Sequence, residues 1–334
     1  MPQPLNSSDS RVRAAVIGLG QAGSRFDEEP SRKVIWSHVG AYLKRSDRVA
    51  LAGAVEIAPP NTAAFRARCP DVPVYDDVEK LIAEQHPHIV SICTPASNHA
   101  ETLFKLLDAP DLRLIWCEKP LAAGLDDARR MVEACRERNI KLMASYNRHW
   151  LPIWRRTHNL IREGALGTVR TLRVAFPNRL FSIGSHAVDL ALMLGGPVGS
   201  VVAQPLPGLE ERGEPAVAAL LHHRSGVSGI VQVTGTSKQF FAEAEIIGDD
   251  GRLFAREDRG LIVIEPFEES RIYKGYRQLG APREERTDSA DFSTFLAMAD
   301  NAIDAVTKNT PLACDGAHAL EVQRVLDLMA ATAR

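Results

Sequence analysis

Two short stretches of the chain have residue types and spacing that can do chemistry. Ala14-Ala15-Val16-Ile17 runs straight into Gly18-Leu19-Gly20-Gln21-Ala22-Gly23, an apolar strand followed by a Gly-x-Gly-x-x-Gly turn. Glu118-Lys119-Pro120 ends a second apolar run, Leu112 to Cys117. In the first stretch Gly18 permits a tight turn, Gly20 lets the backbone approach a pyrophosphate, and Gly23 lets a helix pack closely on the strand. A helix starting near Gln21 would offer its unpaired N–H groups to the phosphates, with Gln21 and Ala22 inside the cradle. In the second stretch a lysine stands at the carboxyl end of a strand, where open α/β sheets bind ligands. Its ammonium can polarise a carbonyl, or take a proton from an alcohol if its pKa is lowered. Glu118 can hold that ammonium or orient a ribose, and Pro120 stiffens the turn.

Further candidates follow from the same frame. Glu56 ends the apolar run Val49 to Val55, where an acid accepts hydrogen bonds from an adenosine ribose. Its distance from Gly23 exceeds the usual ~20 residues, and the polar stretch Asp27 to Ser37 accounts for the excess as an insertion. Ile57 follows Glu56 where a 2′-phosphate would need an arginine or serine, so NAD is favoured over NADP. Arg25 or Arg66 folding over the ribose would reverse that preference. Thr94-Pro95 and Asn98-His99 follow the apolar run His88 to Cys93, at the crevice edge where a nicotinamide should lie. Asn98 can alternatively cap the next helix, with His99 as its first residue.

The elements that must position these groups alternate. Strands are expected at Arg13 to Ile17, Val49 to Val55, Val72 to Tyr75, His88 to Cys93, Leu112 to Cys117 and Ile140 to Tyr146. Helical patterns lie between them, such as Ala100, Leu103, Phe104 and Leu107 at i, i+3, i+4, i+7. This alternation predicts a doubly wound parallel sheet. After Tyr146 the texture becomes strand-rich, from Val169 to Phe176 through Leu261 to Glu265, with turn signals such as Asp249-Asp250-Gly251. The fold class expected is α/β: a Rossmann domain over 11–146, then an α+β domain over 147–334 with a large, mostly antiparallel open-faced sheet. Residues 1–10 read as a disordered lead-in, and the closing helix 316–331 is a candidate to pack back on the first domain.

Composition narrows the classes. Apolar residues make up 45% and charged residues 25% of 334, as in ordinary globular proteins. With 40 basic against 42 acidic residues there is no electrostatic case for nucleic acid or an anionic membrane. No apolar run approaches the ~20 residues of a membrane span, and the polar first ten residues lack a signal-peptide core. Five cysteines, without a Cys-x-x-Cys pair, read as reduced thiols of a cytoplasmic protein, and no metal site is expected.

Taken together, Gly-Leu-Gly-Gln-Ala-Gly (18–23), Thr-Pro-x-x-x-His (94–99), Glu-Lys-Pro-Leu (118–121), Tyr-Asn-Arg (146–148) and His-x-x-Asp (186–189) resemble the motifs of the Gfo/Idh/MocA family of sugar and cyclitol oxidoreductases, in that family's order. The resemblance implies Lys119 as the active-site lysine and His186 as the proton donor or acceptor for the substrate oxygen. Asp189, one helical turn on, orients the imidazole or faces substrate. Asn147 and Glu118 join the cofactor-binding set. The resemblance also implies homodimers or homotetramers through the open sheet face.

Two positions depart from the family. Ser182 stands where many members carry an aspartate four residues before the histidine, and it cannot supply that carboxylate. His149 replaces the second arginine of the frequent Asn-Arg-Arg run. Both are candidate substrate contacts, with Lys119 and Asp189. Arg173, Asn178, Arg179 and Tyr276 are further polar candidates without a motif. A Ser182/His186/Asp189 hydrolase triad lacks the Gly-x-Ser-x-Gly elbow.

The function expected is NAD(P)-dependent hydride transfer to or from a secondary alcohol or ketone of a sugar, nucleotide sugar or cyclitol. The alternatives are a cofactor-binding sensor that has lost chemistry, motivated by Ser182, and redox-neutral epimerisation or elimination on tightly held NAD.

Overall fold

The computed structural model describes residues 11–177, 179–209, 214–234, 238–289 and 291–333. The chain divides into two compact units. One runs to Asn147 and adds Ser293–Leu320; the other comprises Arg148–Phe292 and the chain from Glu321.

The first unit alternates as its sequence predicts: β1 (Val12–Ile17), α1 (His38–Lys44), β2 (Val49–Val55), α2 (Pro59–Arg68), β3 (Val74–Tyr75), α3 (Val78–Gln85), β4 (Ile89–Ile92), α4 (His99–Leu106), β5 (Leu114–Cys117), α5 (Leu125–Glu137) and β6 (Lys141–Ala144). The strands form one parallel sheet in the order β3-β2-β1-β4-β5-β6. The order reverses between β1 and β4, which opens the crevice where such sheets bind ligands. Helices cover both faces, so β4 and β5 are buried at every residue and are apolar but for Ser91.

The break in the first helix falls where the sequence places the insertion Asp27 to Ser37, and the helix resumes at His38. No continuous helix runs on from Gln21. Ser24 and Arg25 donate back to Gly20, a short 3-10 turn follows at Arg25–Glu28, and the helix proper begins at His38. His38 N–H donates to the Ala22 carbonyl at 3.0 Å and Val39 N–H to that of Gly23 at 2.9 Å. The helical register therefore continues across the gap, and the intervening residues loop out. Asp27 clamps the loop, accepting from Trp36 N–H at 2.6 Å, Ser37 Oγ at 2.5 Å and Arg68 at 3.1 Å. Ser37 caps α1 through Gly40 N–H. A Cβ on Gly40 would stand 1.9 Å from the Asp27 carboxylate and would push this clamp aside.

The second unit contains α6 (Pro152–Arg162), β7 (Val169–Phe176), α7 (Gly184–Gly195), β8 (Val198–Pro205), β9 (Val217–His223), β10 (Ser228–Val233), β11 (Glu243–Gly248), β12 (Gly251–Arg256), β13 (Leu261–Glu269), β14 (Arg277–Leu279) and β15 (Arg283–Arg286). Its nine-stranded sheet runs β14-β13-β12-β11-β7-β10-β9-β8, with β15 on β13. All its pairs are antiparallel except β7 with β10. Burial alternates along β11 and β12, the mark of a sheet covered on one face. The stretch from Arg271 to Glu285 holds β14 and part of β15. Neither has the apolar alternation that betrays a strand, since Arg283-Glu284-Glu285-Arg286 is a charged edge.

Two further helices close the chain, α8 (Thr294–Thr307) and α9 (Gly316–Thr332). The α8 helix belongs to the first unit. Arg45 makes a two-pronged pair with Asp300 at 2.7 Å, and Phe295 sits against Trp36, His38 and Trp116. The α9 helix begins in the first unit and passes into the second after Leu320.

His88, just before β4, is buried and accepts from Arg13 N–H at 3.0 Å through Nδ1. Burial, with Arg13 and Arg113 nearby, lowers its pKa from 6.5 to about 4. The unfolded chain takes up a proton there below about 6.5, and the folded protein does so only near 4. His88 thus destabilises the fold as pH falls through that window. Urea denaturation at pH 7 and pH 5 should show a smaller pH-dependent loss of stability in His88→Asn than in the parent. Equal losses would contradict the assignment.

Candidate active site

The glycine turn is built by close approach. Gly18 has φ +88°, and a Cβ there would lie 2.9 Å from the Cys93 carbonyl at the end of β4. A Cβ on Gly23 would lie 2.0 Å from the Gly18 carbonyl oxygen, so any side chain breaks the turn. Gly20 is different, because a Cβ there meets nothing within 4 Å among the described residues. Packing among the described residues does not require that glycine. Gln21 and Ala22 lie in the same turn, with Gln21 exposed.

Glu56 closes the turn from β2. Its carboxylate accepts from Leu19, Ile57 and Ala58 N–H groups at 2.8 Å each and from Asn61 at 3.1 Å. Glu56 therefore holds the glycine turn as well as standing at the expected ribose position. Arg25 reaches Asn61 at 3.4 Å and pairs with Glu28 at 3.1 Å. A cleft of about 200 Å³ opens here, lined by Gly18, Glu56, Ile57, Asp76, Thr94 and Asn98 among others.

Thr94 and Pro95 follow β4 at the carboxyl edge. The Thr94 hydroxyl is buried and has no hydrogen-bond partner among the described residues. Asn98 does not cap α4 with its side chain; it accepts from Ser97 Oγ at 2.7 Å and is exposed. His99 is buried, and its ring ties two loops together. Nε2 lies 2.8 Å from the Thr94 carbonyl, and Nδ1 lies 3.1 and 3.2 Å from those of Pro120 and Leu121. The ring thereby couples the Thr94 loop to the turn that carries Lys119.

Glu118 and Lys119 leave β5 at this edge, and the Lys119–Pro120 peptide is cis. Glu118 accepts from His38 Nε2 at 3.0 Å and from its neighbour Lys119 N–H at 3.3 Å. Burial pushes its carboxyl up, but hydrogen bonds from His38 and Ser145 and the neighbouring Lys119 ammonium hold it below the ordinary glutamate value. Ser145 also accepts from Trp116 Nε1 at 2.9 Å. Sequence reasoning missed His38, Ser91, Tyr42 and Ser145. A serine inside the apolar run Ile89-Val90-Ser91-Ile92 was the available signal. Asn147 ends this unit and donates to Thr294 Oγ1 at 3.4 Å.

In the second unit, His186 and Asp189 lie one turn apart on α7, both buried. A Cβ on Gly184 would lie 2.8 Å from Val233, so α7 sits tightly on β10 at the start of this turn. His149 Nε2 stands 2.8 Å from Asp189 Oδ1, which brings two of the sequence candidates together. The run carrying His149 is anchored by Arg148, whose guanidinium makes two 2.9 Å bonds to Glu257 and lies 4.8 Å from the Phe176 ring centre. Trp154 Nε1 donates to the same carboxylate at 2.6 Å. Ser182 precedes α7, and its carbonyl accepts from Ser185 Oγ at 2.7 Å.

The other polar candidates are dispersed. Arg173 is tied to Gln232 and Glu243, Arg179 is tied to Glu214, and Tyr276 is exposed on the β13–β14 hairpin. Asn178 lies outside the described residues.

Comparison with known proteins agrees with this reading of the fold and its glycine turn. Residues 12–146 match the NAD-binding Rossmann fold of the Gfo/Idh/MocA oxidoreductase family, and residues 154–254 match that family's C-terminal domain. A D-apiose dehydrogenase of Paraburkholderia graminis is 30% identical over 184 residues, 50% of this chain and 48% of that protein. The chain thus spans about half the length of that relative. A myo-inositol 2-dehydrogenase of Thermotoga maritima is 22% identical over 76% of this chain and 78% of its own length.

Two solved structures share the fold. One is a levoglucosan dehydrogenase in complex with NADH and levoglucosan, with TM-score 0.79, 19% identity and 97% of each chain covered. The other is the WlbA dehydrogenase of Bordetella pertussis in complex with NADH and UDP-GlcNAcA, with TM-score 0.75, 20% identity and 97% of each chain covered.

Gly20→Ala should leave stability within about 0.5 kcal/mol of the parent and weaken NAD binding at least tenfold by calorimetry. Gly23→Ala should cost about 1–3 kcal/mol or more in urea denaturation. Equal effects of the two changes on both readouts would contradict the division of roles. With the two-domain match added to the glycine turn and the Glu-Lys-Pro edge, the chain belongs to the Gfo/Idh/MocA family of oxidoreductases.

Proposed function

We propose that this protein is an NAD-dependent dehydrogenase or reductase acting on a secondary alcohol or ketone of a sugar, nucleotide sugar or cyclitol. The observation that carries the reading is Lys119 leaving the sheet at the same carboxyl edge as the glycine turn and Glu56. The relatives named D-apiose dehydrogenase and myo-inositol 2-dehydrogenase support the substrate class. The cofactor would supply the hydride chemistry.

The chain's residues fit that cofactor. Gly18, Gly20, Gln21, Ala22 and Gly23 would cradle the pyrophosphate, and Glu56 would meet the adenosine ribose. The cleft beside Ile57 suits adenosine. Thr94, Pro95, Asn98, Glu118 and Asn147 would line the nicotinamide half, with His99 holding their loops together. The unpartnered Thr94 hydroxyl is a ready donor for an amide or ribose oxygen. Glu56 favours NAD over NADP, since a second negative charge on the ribose would face a carboxylate.

In oxidation His186 takes the substrate hydroxyl proton while the Lys119 ammonium stabilises the developing alkoxide. In reduction both roles reverse. Asp189, paired with His149, and Ser182 contribute substrate contacts. On this reading the first unit is the cofactor-binding domain and the second supplies substrate contacts and assembly. Homodimers or homotetramers would form through the open sheet face. There Val202, Leu220 and Ile230 stand side by side in register at 56%, 52% and 39% exposure, more apolar surface than a solvated sheet face needs.

We also place the protein in the cytoplasm. Its five cysteines are free thiols, and no helix among the described residues is long and apolar enough to cross a membrane.

The test is nicotinamide absorbance across a panel of pentoses, hexoses, nucleotide sugars and inositols. Lys119→Ala and His186→Ala should each lower kcat by about 10²–10⁴ with NAD affinity kept within a few fold. Full turnover in both variants would overturn the roles assigned here.

A further inference from the structure

Behind the Glu118–Lys119 edge lies a line of buried polar groups that the reaction as described does not use. Tyr42 Oη stands 2.8 Å from Ser91 Oγ, Ser91 Oγ stands 2.9 Å from His38 Nδ1, and His38 Nε2 stands 3.0 Å from Glu118 Oε1. Tyr42, His38 and Ser91 are fully buried. The His38 ring is wedged against Trp116 at 4.0 Å and Phe295 at 5.4 Å, so it cannot turn away. The residues come from α1 and β4, pack against Trp116 of β5, and end on Glu118 just after that strand.

Only one arrangement of protons leaves no buried donor without an acceptor. Tyr42 donates to Ser91, Ser91 donates to His38 Nδ1, and His38 Nε2–H donates to the Glu118 carboxylate. Reversing the first bond strands the Tyr42 hydroxyl proton, which has no other acceptor among the described residues. A doubly protonated ring would make Ser91 accept from both sides and strand its own proton. Buried hydroxyls do not tolerate that. The far end of the line is equally fixed. Burial raises the Tyr42 phenol, outweighing its bond to Ser91, so Tyr42 keeps its proton, and its side chain has no solvent exposure. The line is therefore a one-way brace and not a conduit to water.

We propose that His38 is a positioning residue of the redox site, acting through Glu118: the brace from Tyr42 and Ser91 locks its imidazole as the neutral Nε2–H form, which holds the Glu118 carboxylate ionised and aimed beside Lys119. The insertion makes the case stronger. Residues Asp27 to Ser37 interrupt the first helix, yet the bonds from His38 to Ala22 and from Val39 to Gly23 return His38 to the position a continuous helix would give it. Asp27 fixes the loop so that this register is kept. The other titratable or charged groups facing Glu118 are Lys119, Cys93 and Cys117. Burial and the Glu118 charge push both thiols well up, so they stay neutral. Among the groups that hold Glu118 ionised, the His38 hydrogen bond acts most strongly, so loss of His38 should move that ionisation. The inference rests on the dehydrogenase reading for its kinetic test but not for its structural one.

The structural test is the ¹⁵N spectrum of histidine-labelled protein, with the His38 signals assigned by their loss in His38→Gln. Protonated Nε2 with unprotonated Nδ1 at neutral pH is expected; protonation at Nδ1 overturns the proposal. The kinetic test compares His38→Leu with His38→Gln, whose amide N–H can still reach Glu118. His38→Leu should lose about ten- to a hundred-fold in kcat/KM, the loss of one hydrogen bond to a charged group. Without that donor the Glu118 carboxyl rises, so the acid limb of the pH profile should move to higher pH. His38→Gln should restore most of the activity and return the limb. An unmoved limb in His38→Leu, or no rescue by His38→Gln, overturns the proposal. A wild-type protein inactive on every substrate would instead count against the dehydrogenase reading, and the ¹⁵N result would then decide the role of His38.

Discussion

A largely buried carboxylate, Glu118, at the carboxyl edge of a parallel sheet is the constraint on which the rest of this site depends. Taking Glu118 out of water costs several kcal/mol unless its oxygens are met by donors. The fold meets them from three directions: His38 on α1, Ser145 after β6, and the backbone of Lys119 itself. The two side-chain donors are in turn held by other groups. Ser91 and Tyr42 fix His38, and Trp116 fixes Ser145. The lysine beside Glu118 therefore leaves the sheet from an edge that is over-determined, as a preorganised electrostatic site requires.

The glycine turn obeys the same logic at the other end of the crevice. Gly18 and Gly23 are dictated by backbone approaching backbone, and Glu56 ties the turn to β2 through Leu19. Gly20 alone leaves space open. His99 bridges the two ends, because its two ring nitrogens lie within hydrogen-bond distance of carbonyls of the Thr94 loop and the Pro120 turn.

Much of this was legible in the sequence, for a physical reason. Strands buried on both faces must be apolar runs, so β1, β2, β4 and β5 announced themselves, and the groups at their carboxyl ends could be read from where each run stopped. The glycine spacing and Glu-Lys-Pro were legible because their geometry is local. What the sequence hid was the pairing of residues far apart in the chain. His38 meets Ser91 across 53 positions and Glu118 across 80. The insertion separated His38 from the glycines that would have given it away. The role of His99 was hidden for the opposite reason: its pattern fits a helix start, and only the fold shows its ring facing carbonyls of two loops. The charged strand β15 carried no hydrophobic period at all.

The central claim is that the carboxyl edge of the first sheet, from the glycine turn through Glu56 to Glu118 and Lys119, is where a nicotinamide dinucleotide binds and reacts. A crystal structure with NADH bound tests it most directly. The account predicts the pyrophosphate over Gly20, the adenosine ribose against Glu56, and the nicotinamide ring beside Thr94 and Lys119. A dinucleotide bound in the reverse direction, or anywhere that leaves Gly20 and Lys119 untouched, would contradict it.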